Sequence, residues 1–123
     1  MSGDLRVAIV SVPVADQNRA RDFYRDKLGF SVVAEAPMGD RKWVQLVGPG
    51  GGAGITLVTW FDSMPAGSLR GLVLEAADID AEHRRLRAAG VEIDEIKSES
   101  WGRYAMFRDS EGNGLVLTSR MDR

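Results

Sequence analysis

The feature that most constrains this chain is a repeat. A run rich in Val and Ile ends at Val14-Ala15-Asp16 and opens a helical pattern, and Ala76-Ala77-Asp78 does the same in the second half. Each helical pattern leads through glycine, in Leu28-Gly29-Phe30 and Ala89-Gly90-Val91, into further strand-like runs. A duplicated module of this kind can curl two small sheets around one central cavity. The chain has 123 residues, enough for one domain and no more.

The periodicities assign the elements. Leu5–Val14 reads as a strand buried on both faces. Asp16 is an N-cap, its carboxylate accepting from free backbone N–H groups and meeting the helix dipole. Ala20, Phe23, Tyr24 and Leu28 then lie on one helical face, and Gly29 ends the helix. Strands are expected at Phe30–Glu35, Lys42–Val47 and Ile55–Trp60. The second half repeats this with Leu69–Ala76, a helix from Asp78 to about Ala89, and strands near Val91–Lys97, Tyr104–Arg108 and Gly114–Ser119. Both halves therefore read βαβββ, with 5–60 as module one, 61–68 as linker and 69–120 as module two.

Composition narrows the function classes. The formal charge of −2, with both signs interleaved along the chain, argues against nucleic acid as a partner. With no cysteine there is no disulfide, no thiolate nucleophile and no Cys-bound zinc. Met-Ser-Gly-Asp-Leu-Arg lacks a signal peptide's apolar core, and no run approaches ~18 apolar residues. A cytoplasmic protein with no membrane partner is the expectation. The glycine run 48–54 precedes a strand and lacks a Gly-Lys-Ser/Thr ending, so it reads as a hairpin loop rather than a phosphate cradle.

Positions 14–30, Val-Ala-Asp-Gln-Asn-Arg-Ala-Arg-Asp-Phe-Tyr-Arg-Asp-Lys-Leu-Gly-Phe, resemble the first-helix signature of the glyoxalase/bleomycin-resistance/extradiol-dioxygenase (vicinal oxygen chelate) superfamily. Ala77-Asp78-Ile79-Asp80 and Ala89-Gly90-Val91 resemble its second helix. Trp101-Gly102-Arg103 and Phe107-Arg108-Asp109-Ser110-Glu111-Gly112-Asn113 resemble its closing hairpin. The likeness covers 5–120 as a single domain. It implies an α+β fold in which two βαβββ modules form a U-shaped, mixed, mostly antiparallel sheet around a cleft. It also implies a homodimer, with modules paired within a chain or exchanged between chains.

Metal-dependent members of that superfamily hold a divalent ion with four side chains, one from the first and one from the last strand of each module. The resemblance places those slots at Ile9, Thr56, Gly71 and Val116. None supplies the imidazole, carboxylate or thiolate that such an ion needs. No metal and no cofactor are expected. The closing-turn acids Asp109 and Glu111 read as turn-forming carboxylates. His83, the one histidine, falls in the helical stripe Ile79, His83, Leu86 and reads as a helix–sheet boundary residue.

A cleft without a metal is then lined by what remains. Strand parity points Trp43, Thr56, Val58, Trp60, Val73 and Val116 into it, with Trp101 and Tyr104 nearby. Gln45 shares parity with Trp43 and adds a polar edge, and Glu75 shares parity with Val73 near the rim. Aromatic walls with a few placed polar groups suit a small aromatic or cationic ligand. The sequence thus expects a binding protein that carries such a molecule without transforming it. The alternative is a glyoxalase-like lyase or isomerase, or an extradiol-type dioxygenase, with atypical metal ligands. No catalytic residue is assigned.

Overall fold

The computed structural model describes residues 3–120. Module one runs β1 (Ile9–Pro13), α1 (Gln17–Asp26), β2 (Ser31–Met38), β3 (Arg41–Val47) and β4 (Gly54–Val58). Module two runs β5 (Leu72–Ala76), α2 (Ile79–Ala88), β6 (Lys97–Glu99), β7 (Gly102–Arg108) and β8 (Gly114–Ser119). The strand orders are β1-β4-β3-β2 and β5-β8-β7-β6, so the α+β class and the repeat are as the sequence implied. Within each sheet the first strand pairs parallel to the last, and every other pairing is antiparallel. No helix among the described residues is long and apolar enough to cross a membrane.

The repeat is symmetrical at its caps. Asp16 accepts from the Arg19 amide and Asp78 from the Ala81 amide, each at 3.0 Å, three residues into the helix. Gly29 and Gly90 follow the two helices with φ of 78° and 89°, a left-handed backbone that glycine adopts without steric cost.

Two elements depart most from the sequence reading, while β2 runs on to Met38, β4 stops at Val58 and β5 starts at Leu72. The first strand begins at Ile9 rather than Leu5, because β4 begins at Gly54 and the parallel ladder starts with that pair. Leu5 and Val7 are left almost wholly and two-thirds exposed. The strand expected at Val91–Lys97 shrinks to one bridge, Ile93 with Phe107, followed by the short β6. Between them the Asp94 carbonyl turns away from the sheet to meet His83 Nε2 at 2.7 Å. His83 is buried there, at the boundary of helix and sheet.

Hydrogen bonding keeps the eight strands as two four-stranded sheets. One continuous core joins them, drawn from the helix-covered face of each. It takes Val12, Val44, Leu46 and Leu57 from module one and Ala105, Phe107, Leu115 and Leu117 from module two, with Tyr24 and Leu86 from the helices. The C-terminal ends of the helices also touch, through Lys27 to the Ala89 carbonyl and Arg85 to the Lys27 carbonyl.

The turn between β7 and β8 fastens the modules together. Asp109 Oδ1 accepts from the Glu111 and Asn113 amides, at 2.8 and 2.9 Å. Its Oδ2 accepts from the buried Tyr24 hydroxyl at 2.8 Å and from Asn113 Nδ2 at 2.9 Å. Asn113 in turn donates to the Pro13 carbonyl and accepts from the Leu69 amide. Burial, and then the Asp109 charge, push the Tyr24 hydroxyl far above its ordinary titration range, so it remains a donor. Glu111 reaches the start of α1, accepting from the Ala15 and Asp16 amides and from both Nε and Nη2 of Arg19.

Candidate functional site

Residues that alternate with the core along each strand form the outer face of each sheet. In module one, Ser11 of β1, Thr56 of β4, Gln45 of β3 and Ala34 of β2 stand side by side in one row. Trp43 lies on the same face, opposite Ala36, and its indole Nε1 donates to Gln45 Oε1 at 3.1 Å. The β3–β4 ladder stops at the Gln45–Thr56 pair. Beyond it Gln17 spans the diverging strands, its amide donating to the Lys42 and Leu57 carbonyls at 2.7 and 2.8 Å. Val58 is buried, and the half-buried Trp60 follows the end of β4. The Arg41 guanidinium sits over its ring, 5.5 Å from the centroid, a cation–π contact.

Thr56 is the anomaly of this face. It is 2% exposed, and among the described residues its hydroxyl has no hydrogen-bond partner. A buried hydroxyl without a partner costs roughly 1–3 kcal/mol. The oxygen of the adjacent Gln45 side chain is occupied by Trp43.

In module two, Val73, Val116 and Met106 form one row and Glu75, Thr118 and Tyr104 the next. Trp101 stacks on Tyr104 with ring centroids 5.3 Å apart and planes 21° apart. Val73, Trp101 and Met106 are about half exposed, and Glu75 is exposed.

The ten residues singled out in the sequence therefore fall into two groups. Trp43, Gln45, Thr56, Val58 and Trp60 belong to module one, and Val73, Glu75, Trp101, Tyr104 and Val116 to module two. Because both sheets turn their helix-covered faces to the shared core, the two groups look away from it and from each other. Recesses of about 450 Å3 beside the β2–β3 hairpin and about 600 Å3 in module two are lined by none of the ten. Ser11 and Met106 join these faces through the register. Parity alone marks Met106, whereas Ser11 follows from its pairing with Thr56.

The sequence matches the Glyoxalase/Bleomycin resistance protein/Dioxygenase superfamily over residues 6–117. The chain belongs to that superfamily. Among solved structures it is similar to TnmS3 from Streptomyces sp. CB03234, described as an antibiotic binding protein. The identity is 42% and the TM-score 0.91, over 97% of this chain and 98% of that one. A glyoxalase/bleomycin resistance protein from the same organism is 44% identical with a TM-score of 0.83, over 92% of this chain and 99% of that one. The YetH protein of Bacillus subtilis (strain 168) is 33% identical over 91% of this chain and 96% of its own length.

The superfamily's metal positions do not fit this chain. The register sets Thr56 beside Ser11 and Val116 beside Val73, while Ile9 pairs with Gly54 and Gly71 precedes β5 with a left-handed φ of 78°. Moving each slot to its strand neighbour therefore adds one hydroxyl and one isopropyl group. Among the described residues no three His, Cys, Asp or Glu side chains cluster as a metal would require.

Proposed function

We propose that this chain is a bleomycin-resistance-type binding protein that holds a small aromatic or cationic molecule without a metal and without transforming it. The observation that carries this reading is the donor set. The strand positions that serve as metal ligands in the superfamily offer nothing stronger than the Thr56 hydroxyl, and they are flanked by Trp43, Gln45 and the Arg41–Trp60 pair. The likeness to TnmS3 over nearly the full length of both chains supports it.

Residues 5–120 act as one unit in this reading, working in the cytoplasm as a homodimer. The outward orientation of the two candidate faces leaves each open on one side. A second copy that lays its module-two face across module one of the first completes an enclosed cleft. That cleft brings Val73, Glu75, Trp101, Tyr104 and Val116 opposite Trp43, Thr56 and Trp60.

Titration with a panel of aromatic and cationic antibiotics, bleomycin among them, tests the proposal. Binding should quench tryptophan emission and raise the melting temperature by linkage. Trp43→Ala and Trp60→Ala should abolish the quench, and undiminished binding in both variants would place the pocket elsewhere. Near-stoichiometric zinc, iron, manganese or nickel in protein purified without chelator would overturn the metal-free reading in favour of a lyase, isomerase or dioxygenase. Light scattering at micromolar concentration that returns a monomer would overturn the shared cleft.

A further inference from the structure

The recess of about 600 Å3 in module two presents chemistry that the aromatic pocket lacks. Its walls include Val91, Ile93 and Met106, and Arg70 and Arg108 contribute to its lining. Both guanidiniums donate through Nη1 to one and the same carbonyl, that of Gly112, at 3.4 and 3.0 Å. A single oxygen thus holds two like charges close together. The third arginine of the lining, Arg87, is paired with Glu95 at 2.8 Å. Among the described residues neither Arg70 nor Arg108 forms an ion pair, although Glu92 and Asp94 share the lining.

Arg70 is also held in place. The same Nη1 donates to the Gly67 and Leu69 carbonyls at 2.7 and 2.8 Å. Its Cδ lies where a side chain at position 114 would stand, 3.0 Å from the Cβ that Gly114 lacks. Its rotamer entropy is thus already lost before any ligand arrives, which lowers the cost of binding. Among the described residues the Nε and Nη2 groups of both arginines donate to no protein acceptor, and a guanidinium edge matches the two oxygens of a carboxylate. Met106, half exposed, supplies the apolar surface beside those donors, and the buried Val91 and Ile93 reach only the floor of the recess.

We infer that this recess binds a small apolar monoanion. Its carboxylate or sulfonate lies between Arg70 and Arg108, and its hydrocarbon body lies against Met106. None of the ten residues singled out from the sequence lines the recess, although Met106 stands in one row with Val73 and Val116, and shifts at Gly112 and Gly114 tell binding here from binding at Trp43 and Trp60.

The test compares 2-naphthoate with its uncharged counterpart 2-naphthamide, titrated into the isotopically labelled full chain at low salt and followed by NMR. Naphthoate should shift the Gly112, Gly114 and Met106 amides, and naphthamide should bind at least tenfold more weakly. Raising the salt should weaken naphthoate further, since charged groups near solvent are screened. Arg108→Gln, which removes one bond to an exposed turn carbonyl, should keep the fold by circular dichroism and lose naphthoate affinity at least tenfold. Arg70→Gln should lose a similar factor. Equal affinity for the two probes, undiminished naphthoate binding in Arg108→Gln, or shifts confined to the surroundings of Trp43 and Trp60 would each overturn the inference.

Discussion

Glu111→Gln tests the fastening between the modules most directly. The Glu111 side chain is closed off from solvent, and its carboxylate receives Arg19 Nε at 2.8 Å, two backbone amides at 3.1 Å and the Ser110 hydroxyl at 2.8 Å. Burial alone would raise its pKa. The hydrogen bonds from Arg19, the Asp16 amide, Ser110 and the Ala15 amide outweigh that and hold the group at about 2, against an ordinary 4.5. Because the folded value is depressed, the stabilisation is complete above about pH 4.5 and is lost as the pH falls through about 2. At ~1.4 kcal/mol per unit, full linkage would give ~3 kcal/mol. Arg19 is 57% exposed, so solvent screening reduces this to roughly 1–2 kcal/mol. A glutamine amide keeps one acceptor oxygen for donors that the carboxylate shared between two. Urea unfolding at fixed protein concentration should show the variant about 1–2 kcal/mol less stable at pH 7, with the gap closing between pH 4.5 and 2. A gap that stayed constant down to pH 2, or was absent at pH 7, would refute the electrostatic account of the clamp.

Tyr24→Phe removes a buried hydroxyl donor to a carboxylate and should cost roughly 1.5–3 kcal/mol in the same unfolding assay, with the far-ultraviolet dichroism unchanged; a cost below ~0.5 kcal/mol would mean that Asp109 is satisfied without it. Thr56→Val deletes the unpartnered hydroxyl at nearly constant volume, and should leave the unliganded protein as stable or up to ~1 kcal/mol more stable. A loss of stability there would show that the hydroxyl has a partner in solution. Gly67 and Gly51 have φ of 78° and 82°, but a Cβ at Gly67 would stand 2.4 Å from the Glu111 carbonyl whereas one at Gly51 meets nothing within 4 Å. Gly51→Ala should therefore cost ~1 kcal/mol and Gly67→Ala roughly 2–4 kcal/mol, and equal costs would mean that the linker does not press on the closing turn.

The two βαβββ modules, the Asp16 and Asp78 caps and the glycine stops were legible in the sequence because each rests on contacts within a few residues. The ligand slots were only half legible, because Thr56 and Val116 are paired with Ser11 and Val73 rather than with Ile9 and Gly71. Residue type decides whether a position can hold a divalent ion, but strand pairing decides which positions stand together. Strand parity likewise sorted Trp43, Gln45 and Thr56 from Val44, Leu46 and Ile55, since alternation along a strand is local.

What the sequence could not contain was the relation between the modules. Asp109 and Glu111 read correctly as turn residues, yet their other partners, Tyr24 and Arg19, lie 85 and 92 residues away. Those long-range bonds join the helix-covered faces into one core, and so turn the two halves of the candidate site outward. The Arg70–Arg108 pair was hidden for the same reason, because its shared acceptor is the Gly112 carbonyl of the folded turn. Local sequence, by itself, determined the two modules, their caps and the parity of their strands. The tertiary packing decided which faces remain open, because only contacts between distant segments set how one sheet lies against another.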